Sequence, residues 1–346
     1  MPSRLPDLFA NGNRARFRRA LLAWYDRNQR DLPWRRTRDP YAIWLSEIML
    51  QQTRVAAVLD HYRNFLKLFP TIDALASAPE DAVLAAWSGL GYYRRARLLH
   101  RCAREISARH SGRFPQTSSA LRDLPGIGRY TAAAIASIAF GEAVAVVDGN
   151  VERVLARVGG MNLPPAKTWE HAQALLSKSR PGDFNQAIME LGATVCLPRG
   201  ARCVACPVRT LCATRARESA ENGSGFAALQ TAAPPRQIKR EIWCDLDHRD
   251  GHVRLVKRPK KASLMAGMWE LPQWTEMPHR CTQTLTNVRT LRHSITVTDY
   301  TVHVVQKDGV QKDDSTARGK WVAIKAIPAL PITGLTRKIL KAGGII

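Results

Sequence analysis

The hydrophobic pattern of this chain changes its period once, and that change limits the fold more than any other feature of the sequence. From Arg14 to about Cys212 apolar residues recur three or four positions apart, as Phe17, Leu21 and Tyr25 do, which predicts helices. After residue 238 apolar and polar residues alternate, which predicts strands. A chain of 346 residues is also long enough for two domains.

The region between the two patterns is polar and rich in small residues, as linkers commonly are. We therefore predict a helical domain over 1–212, a linker over 213–237 and a smaller α+β domain over 238–346. Within the α+β domain we predict strands at 242–246, 252–257, 295–305 and 320–324, turns at 249–251 and 307–309, and a last helix at 335–341.

Net charge predicts an anionic partner. Lys and Arg total 52 against 29 Asp and Glu, giving a formal charge of +23. Such an excess favours nucleic acid first and an anionic membrane surface second. No stretch approaches the ~20 apolar residues of a membrane span, and Met1 to Arg19 contains no apolar signal core. We expect a protein of the cytoplasm that acts away from membranes.

Four of the seven cysteines crowd into 17 residues: Cys196, Cys203, Cys206 and Cys212. Soft thiolate ligands at this density select zinc or an iron–sulfur cluster. Zinc sites usually contain two Cys-x-x-Cys pairs, whereas only one close pair occurs here. The spacing therefore favours a [4Fe–4S] cluster and leaves structural zinc as the alternative. We predict that the remaining three, Cys102, Cys244 and Cys281, are ordinary thiols.

The cysteine spacing after a helical domain is similar to the cluster loop of the endonuclease III superfamily of DNA repair glycosylases. The resemblance implies a [4Fe–4S] cluster held by residues 196–212. Arginines lie between the cysteines, so we expect the loop to support the structure and dock DNA rather than transfer electrons.

A glycine-containing turn, Leu124-Pro125-Gly126-Ile127-Gly128, precedes the helix that begins near Arg129. Glycines let the backbone approach a ligand, and the N–H groups of the next helix bind anions. Alone, the turn could simply join two helices. Residues 117–140 nevertheless look like the helix-hairpin-helix of the same superfamily, which implies that Gly126 and Gly128 contact the DNA backbone.

Asp148 follows the hairpin by about 20 residues and occupies a predicted helix N-cap, where the helix dipole favours an ionised carboxylate. Most such residues are only caps, but this position resembles that of the superfamily's catalytic aspartate. Lyase-type relatives carry a lysine nucleophile where this chain has Tyr130. Tyrosine cannot form the Schiff base that strand cleavage needs, which favours a monofunctional glycosylase.

Glu47 is a carboxylate within a largely apolar helical segment, and from periodicity alone it could be simply solvated or salt-bridged. The segments 32–35, 44–53 and 89–93, however, closely resemble the adenine DNA glycosylases of the MutY type. This resemblance implies that Glu47 is the general acid that protonates adenine. Burial would raise its pKa and keep the proton available.

The same resemblance assigns roles to further positions. Tyr130 and Asn150 would assist Asp148 at the reacting sugar. The adenine pocket would be lined by Trp34, Arg35, Leu50 and Glu190. Gln52 and Tyr92 would wedge into the duplex, because an enzyme that acts on a base inside a duplex must extrude it.

Residues 238–346 resemble, more loosely, the Nudix-like C-terminal domain of that family, mainly through Met265 to Pro272. The acidic Nudix box is absent, so we expect no pyrophosphatase activity. The family reads 8-oxoguanine through a His-x-Phe-Ser-His loop, whose counterpart here runs from His293 to Val297. Thr296 can replace the serine hydroxyl, but the phenylalanine and the second histidine are missing.

The sequence thus predicts a multidomain protein: an all-α helix-hairpin-helix glycosylase domain with a [4Fe–4S] loop, and a smaller α+β Nudix-like domain. The expected substrate is double-stranded DNA with A:8-oxoguanine or A:G mispairs. We expect a monomer with a cytoplasmic, nucleoid-associated location of the bacterial type; protein partners stay unknown. The alternatives are a bifunctional pyrimidine-lesion glycosylase, a catalytically silent damage binder and, last, a Nudix hydrolase.

Overall fold

The structure, a computed structural model, describes residues 11–220, 237–276, 287–306 and 319–346. The first of these ranges contains helices and short 3-10 turns and no strand, as the hydrophobic period predicts. Its helices are α1 (Asn11–Asn28), α2 (Pro40–Leu50), α3 (Val55–Leu68), α4 (Ile72–Ser77), α5 (Glu80–Ala86), α6 (Arg94–His110), α7 (Ser118–Leu121), α8 (Arg129–Ala139), α9 (Gly149–Gly159), α10 (Pro165–Leu175), α11 (Pro181–Thr194) and α12 (Ala213–Ala220).

The remaining ranges contain eight described strands and one helix. They are β1 (Ile238–Leu246), β2 (His248–Arg249), β3 (His252–Lys257), β4 (Trp269–Glu270), β5 (Gln273–Trp274), β6 (Asn287–Ile295), β7 (Thr298–Gln306), β8 (Lys320–Ala323) and α13 (Gly334–Ala342). The fold class is therefore the one predicted: an all-α region followed by a small α+β region.

Packing divides the chain into two compact units. The first comprises Met1–Tyr62, Thr71–Asp73 and Cys102–Ala233, and the second comprises Arg63–Pro70, Ala74–Arg101 and Pro234–Ile346. The second unit thus includes α5 and the start of α6 together with the strands. The domain boundaries stay predictions, although the first eight residues of the expected linker form α12 and residues 221–236 lie outside the described part.

The helical unit is built around α8 and α11. Alanines and other small residues bury almost all of α8, which allows close helix packing. α11 lies against α1, α8 and α9, and a Cβ added at Gly192 would stand 2.6 Å from the Cβ of Asn150. No side chain larger than hydrogen fits at residue 192, so α11 approaches the start of α9 closely.

The second unit contains two small sheets. One has the strand order β5-β1-β7-β6, with β1 and β7 parallel and the other pairs antiparallel. The other has the order β2-β3-β4, with β8 also paired to β3. Their apolar faces and α13 enclose one core. No helix in the described part of the chain is both long enough and apolar enough to span a membrane.

One strand prediction needs correction, and four of the described strands, β2, β4, β5 and β6, were not predicted. The segment 295–305 is not one strand, because Ile295 pairs with Thr298 and the chain reverses between them. β6 was missed altogether: it is an edge strand with exposed residues, so its sequence alternates weakly. The turn at 249–251 is confirmed by the left-handed φ of Asp250 and Gly251. The predicted turn at 307–309 and Cys281 lie outside the described residues.

Candidate active site

Glu47 lies in the C-terminal half of α2 and is 7% exposed. Its Oε2 accepts a hydrogen bond of 2.7 Å from the hydroxyl of Tyr130, on the first turn of α8. Burial raises the pKa of Glu47 to about 7; the Tyr130 hydrogen bond opposes this rise and the nearby charge of Asp148 adds to it. The carboxyl group can therefore hold a proton near neutral pH, as the sequence predicts.

Tyr130 holds its own proton firmly. Its ring packs beside the apolar cluster that joins α2 to α8, and its hydroxyl also lies 3.5 Å from the sulfur of Met189. Burial, with the charges of Glu47 and Asp148, raises the pKa of Tyr130 well above its ordinary value. A neutral hydroxyl that donates to Glu47 fixes the direction of that carboxyl group.

Asp148 is the N-cap of α9, as the sequence predicts. Its Oδ1 accepts the backbone N–H of Val151 at 2.8 Å, and its Oδ2 accepts the side-chain amide of Asn150 at 2.9 Å. Both oxygens therefore have fixed partners at a helix N-terminus. A carboxylate in this setting can stabilise a positive charge that develops nearby.

Arg153 orients Asn150 and was not foreseen. Its Nη2 donates to Asn150 Oδ1 and to the carbonyl of Gly192, both at 2.8 Å, and its Nε donates to the carbonyl of Cys196 at 2.9 Å. The amide of Asn150 consequently has one orientation, with its nitrogen toward Asp148. The carbonyl groups of Gly192 and Cys196 lie 39 and 43 residues from Arg153 in sequence, too far for a periodic sequence pattern to indicate the contacts.

Glu190, on α11, is 1% exposed and fully ionised. Arg30 binds it through two hydrogen bonds of 2.7 Å, and Arg35 adds a third of 2.7 Å. Burial alone would raise the pKa of Glu190, but the two guanidinium groups outweigh it and lower the pKa to about 2. Sequence reasoning found Arg35 and Glu190 but missed Arg30, which lies 160 residues from its partner.

The other two predicted pocket residues, Trp34 and Leu50, lie in the 3-10 turn before α2 and at the end of α2. Trp34 is buried and packs edge-on against Tyr62, with ring centroids 5.3 Å apart. Leu50 ends α2 and is half-buried. The guanidinium of Arg35 also lies over the ring of Tyr25, 5.5 Å from its centroid.

The two predicted wedges share an uncommon backbone. Gln52 and Tyr92 are exposed, and both have a left-handed φ, 55° and 48°. Non-glycine residues adopt this conformation at a cost that surrounding structure must offset, and such strain clusters at functional sites. The structure therefore gives both side chains the exposure and fixed backbone that a wedge needs.

The turn between α7 and α8 has the predicted geometry. Gly126 has a φ of 79°, while Leu124 and Ile127 anchor the turn in the core. No side chain caps α8 at Gly128, so its first N–H groups are available to an anion. The guanidinium of Arg129 lies over the ring of Trp169, with its Cζ 3.9 Å from the ring centroid.

All four clustered cysteines line one pocket beside α9 and the end of α11. Arg157 fixes its rim: Nη1 donates to the sulfur of Cys196 at 3.4 Å and to the carbonyl of Leu197 at 2.6 Å. Four soft donors around one apolar pocket fit an iron–sulfur cluster. Within the described ranges no three His, Cys, Asp or Glu side chains are arranged to hold a single metal ion.

Thr296 occupies the tip of the β6–β7 hairpin with a left-handed φ of 53°. Its hydroxyl donates to the carbonyl of Ile295 at 2.7 Å. The predicted recognition segment is therefore not a free loop: His293 to Ile295 belong to β6, and only Thr296 and Val297 form the turn.

Comparison with known proteins agrees with this geometry. Residues 45–178 match the family described as HhH-GPD superfamily base excision DNA repair protein, and residues 243–342 match the NUDIX domain. A solved thermostable thymine-DNA glycosylase is 33% identical, with a TM-score of 0.57; the match covers 60% of this chain and 98% of that one. The chain belongs to the HhH-GPD superfamily.

Other HhH-GPD relatives are similar over both regions. An adenine DNA glycosylase of Homo sapiens is 42% identical over 317 residues, and one of Arabidopsis thaliana is 40% identical over 313. These matches cover 76% and 78% of this chain but 58% and 49% of the relatives, so the chain spans about half the length of these curated relatives. A solved endonuclease III–DNA complex, 20% identical with a TM-score of 0.53, shares the fold over 61% of this chain and 99% of its own.

Proposed function

We propose that this protein is an adenine DNA glycosylase of base excision repair, acting on adenine opposite 8-oxoguanine or guanine in double-stranded DNA. The observation that carries the proposal is the pairing of two unlike carboxyl groups. Glu47 is buried with a pKa of about 7, whereas both oxygens of Asp148 are hydrogen-bonded at a helix N-terminus. Cleavage of a glycosidic bond uses one proton donor and one carboxylate in this way.

In the proposed reaction Glu47 donates its proton to a ring nitrogen of adenine while the bond to C1′ breaks. The bonding electrons leave with the base, and Asp148 stabilises the positive charge that develops on the sugar. Water then adds to C1′ and gives up a proton to the Glu47 carboxylate, which restores the acid and leaves free adenine and an abasic site. Tyr130 and Asn150 act as positioning residues, because they fix the two carboxyl groups.

The adenine pocket of this proposal is formed by Trp34, Arg35, Leu50 and Glu190, and Gln52 and Tyr92 are the wedges. Gly126 and Gly128 bring the hairpin backbone to DNA phosphate. The Arg30–Glu190–Arg35 cluster stays ionised near neutral pH because the pKa of Glu190 is lowered to about 2, so it serves binding rather than proton transfer. In the C-terminal region Thr296 contributes to recognition of the base opposite adenine. The protein acts as a monomer in the cytoplasm, associated with the nucleoid.

The proposal predicts base release without strand cleavage, because no lysine occupies position 130. Purified protein is incubated with duplexes that contain A opposite 8-oxoguanine, G or T, with and without later alkali. We expect free adenine from the first two duplexes and breaks only after alkali. A strand break before alkali, trapped by borohydride, would indicate a lyase. Tight binding without release would indicate a silent damage binder.

The proposal also predicts that excision falls as pH rises through about 7. Glu47 must be protonated to act, and its protonated form dominates below its pKa of about 7. Single-turnover excision on an A:8-oxoguanine duplex should decrease about tenfold for each pH unit well above that value. An alkaline rate as high as the rate at pH 6 would argue against Glu47 as the acid.

The cysteine pocket would hold a [4Fe–4S] cluster through Cys196, Cys203, Cys206 and Cys212. Such a cluster would tie the loop 196–212 together when bound, and no step of the base release passes through it. We expect brown protein that contains iron rather than zinc, measured by absorption and metal analysis. Cys203→Ser should lose iron and soluble yield, whereas Cys102→Ala should keep the iron. Colourless, active protein with one zinc per chain would refute the cluster.

A further inference from the structure

The segment from Ser88 to Tyr93, which carries the exposed Tyr92, is held in a strained shape. Gly89, Gly91 and Tyr92 have φ values of 111°, 71° and 48°. Tyr92 is 47% exposed, whereas Ser88 and Tyr93 on either side of it are buried. The turn therefore exposes the ring of Tyr92 on a left-handed backbone that non-glycine residues rarely adopt. Contacts with surrounding residues must offset the cost of this conformation.

Contacts within the segment supply part of that restraint. The indole N–H of Trp87 donates to the carbonyl of Gly91 at 3.1 Å. The guanidinium of Arg95 lies 5.5 Å from the centroid of the Tyr92 ring and 5.4 Å from that of Trp87. These contacts orient the ring but leave the start of the turn, at Ser88, to be fixed by other residues.

Ser88 is fixed by the C-terminal part of the same compact unit. Its hydroxyl donates to the backbone carbonyl of Ile332 at 2.8 Å and accepts from Nε of Arg337 at 3.3 Å. The hydroxyl of Tyr93 reaches the same carbonyl at 3.4 Å. Both ends of the turn that carries Tyr92 therefore contact one buried carbonyl group, more than 230 residues away in sequence.

The carbonyl of Ile332 is itself rigidly placed. On either side of it the backbone is paired with Trp269 of β4: the N–H of Trp269 donates to Pro331 at 2.8 Å, and Thr333 donates to Trp269 at 2.9 Å. Thr333 is also the N-cap of α13. A sheet strand and a helix start thus fix the acceptor to which Ser88 and Tyr93 bind.

We propose that Ser88, bound to the Ile332 carbonyl, is a positioning residue that holds Tyr92 in the orientation needed to enter the DNA duplex. The C-terminal region would then support extrusion of the base as well as recognition of its partner. This inference rests on the proposed function, since it takes Tyr92 as the wedge. Base–aromatic stacking gives the wedge its effect, and that effect requires a ring already in place.

The first test is a double-mutant cycle in single-turnover excision of adenine from an A:8-oxoguanine duplex. Ser88→Ala leaves a buried carbonyl with a poorer donor and should lower the rate roughly 5- to 20-fold. In a Tyr92→Ala background the same change should lower it less than about twofold, because residues that act through one another are not additive. Equal losses in both backgrounds would overturn the proposal.

A matched control separates positioning from simple attachment. Asp81→Asn breaks the 2.9 Å ion pair with Lys257, which joins the same two parts of the unit without touching the turn. We expect its rate to equal that of the unchanged protein, with thermal unfolding followed for every variant. If Asp81→Asn lowers the rate as much as Ser88→Ala, Ser88 merely attaches the two parts and the proposal is wrong.

A measurement without DNA keeps this inference distinct from the proposed function. The N–H groups of Leu90 and Arg95 donate to the carbonyls of Trp87 and Tyr92 at 3.1 and 2.9 Å. Their amide hydrogen exchange should be at least several-fold faster in Ser88→Ala than in the unchanged protein, and unchanged in Asp81→Asn. Equal exchange in all three proteins would overturn the positioning role whatever the substrate. Failure of the unchanged protein to release adenine, with the exchange result as expected, would instead refute adenine excision alone.

Discussion

Glu47→Gln is expected to slow the release of adenine by on the order of 10²-fold or more, the usual scale for loss of a general acid. Glutamine has nearly the same shape and still accepts the Tyr130 hydrogen bond, but it cannot donate the required proton. Binding to an A:8-oxoguanine duplex should change little. The measurements are single-turnover excision and mismatch affinity at fixed salt, because phosphate contacts make affinity depend on salt.

Glu170→Gln is the matched control, since Glu170 is exposed and paired only locally with Lys167. It should excise at the unchanged rate. The excision rate of Glu47→Gln should also no longer decrease as the pH rises above 7. A variant that keeps both its rate and its pH profile would remove Glu47 from the mechanism.

The same substitution should stabilise the fold at alkaline pH. The pKa of Glu47 is raised by folding, so the stability linked to its protonated form is complete below pH 4.5 and is lost as pH rises through about 7. Glutamine stays neutral throughout. Above pH 7 the free energy of unfolding of the variant should therefore be higher than that of the unchanged protein, by on the order of 1 to 3 kcal/mol. Its melting temperature should be higher as well.

Asp148→Asn is expected to slow excision by on the order of 10²- to 10³-fold, the scale for removing one electrostatic contact to a developing charge. Asparagine caps helices about as well as aspartate, so α9 should stay folded and the loss should reflect the missing charge together with the lost hydrogen bond from Asn150. Single-turnover excision and thermal unfolding measure the two effects separately.

Asp39→Asn is the corresponding control. Asp39 caps α2 by accepting the N–H of Tyr41 at 3.0 Å. The same Asp-to-Asn substitution is thus made at a second helix N-cap, for which no role in the reaction is proposed. Its rate should be unchanged. If both variants lose activity and stability together, the cap rather than the charge of Asp148 explains the result.

Short motifs made part of this site predictable from sequence. Periodicity alone left Glu47 solvated or salt-bridged, and the family resemblance of the segment 44–53 predicted its burial and raised pKa; the position of Asp148 predicted its helix cap, and the structure has both features. The cap depends on a residue three positions away, which a sequence pattern records, whereas the pKa of Glu47 depends on burial and on Tyr130 and Asp148, which lie far away in sequence.

The supporting arginines could not be predicted in that way. Arg30 reaches Glu190 across 160 positions and Arg153 reaches the carbonyl of Cys196 across 43. An arginine before a motif or on a helix face looks like any solvated cation until the chain has folded. β6 was missed for a related reason, since only its pairing with β7 defines it.

The contact between Gly192 and Asn150 has a consequence for how this site fails on heating. The main chain of α11 lies directly against Asn150, with no side chain between them to repack. The distance between α9 and α11 therefore cannot increase slightly while the side-chain amide of Asn150 keeps its position. On heating, the excision activity and the packing of α9 against α11 should be lost at the same temperature, with no folded but inactive form populated below it.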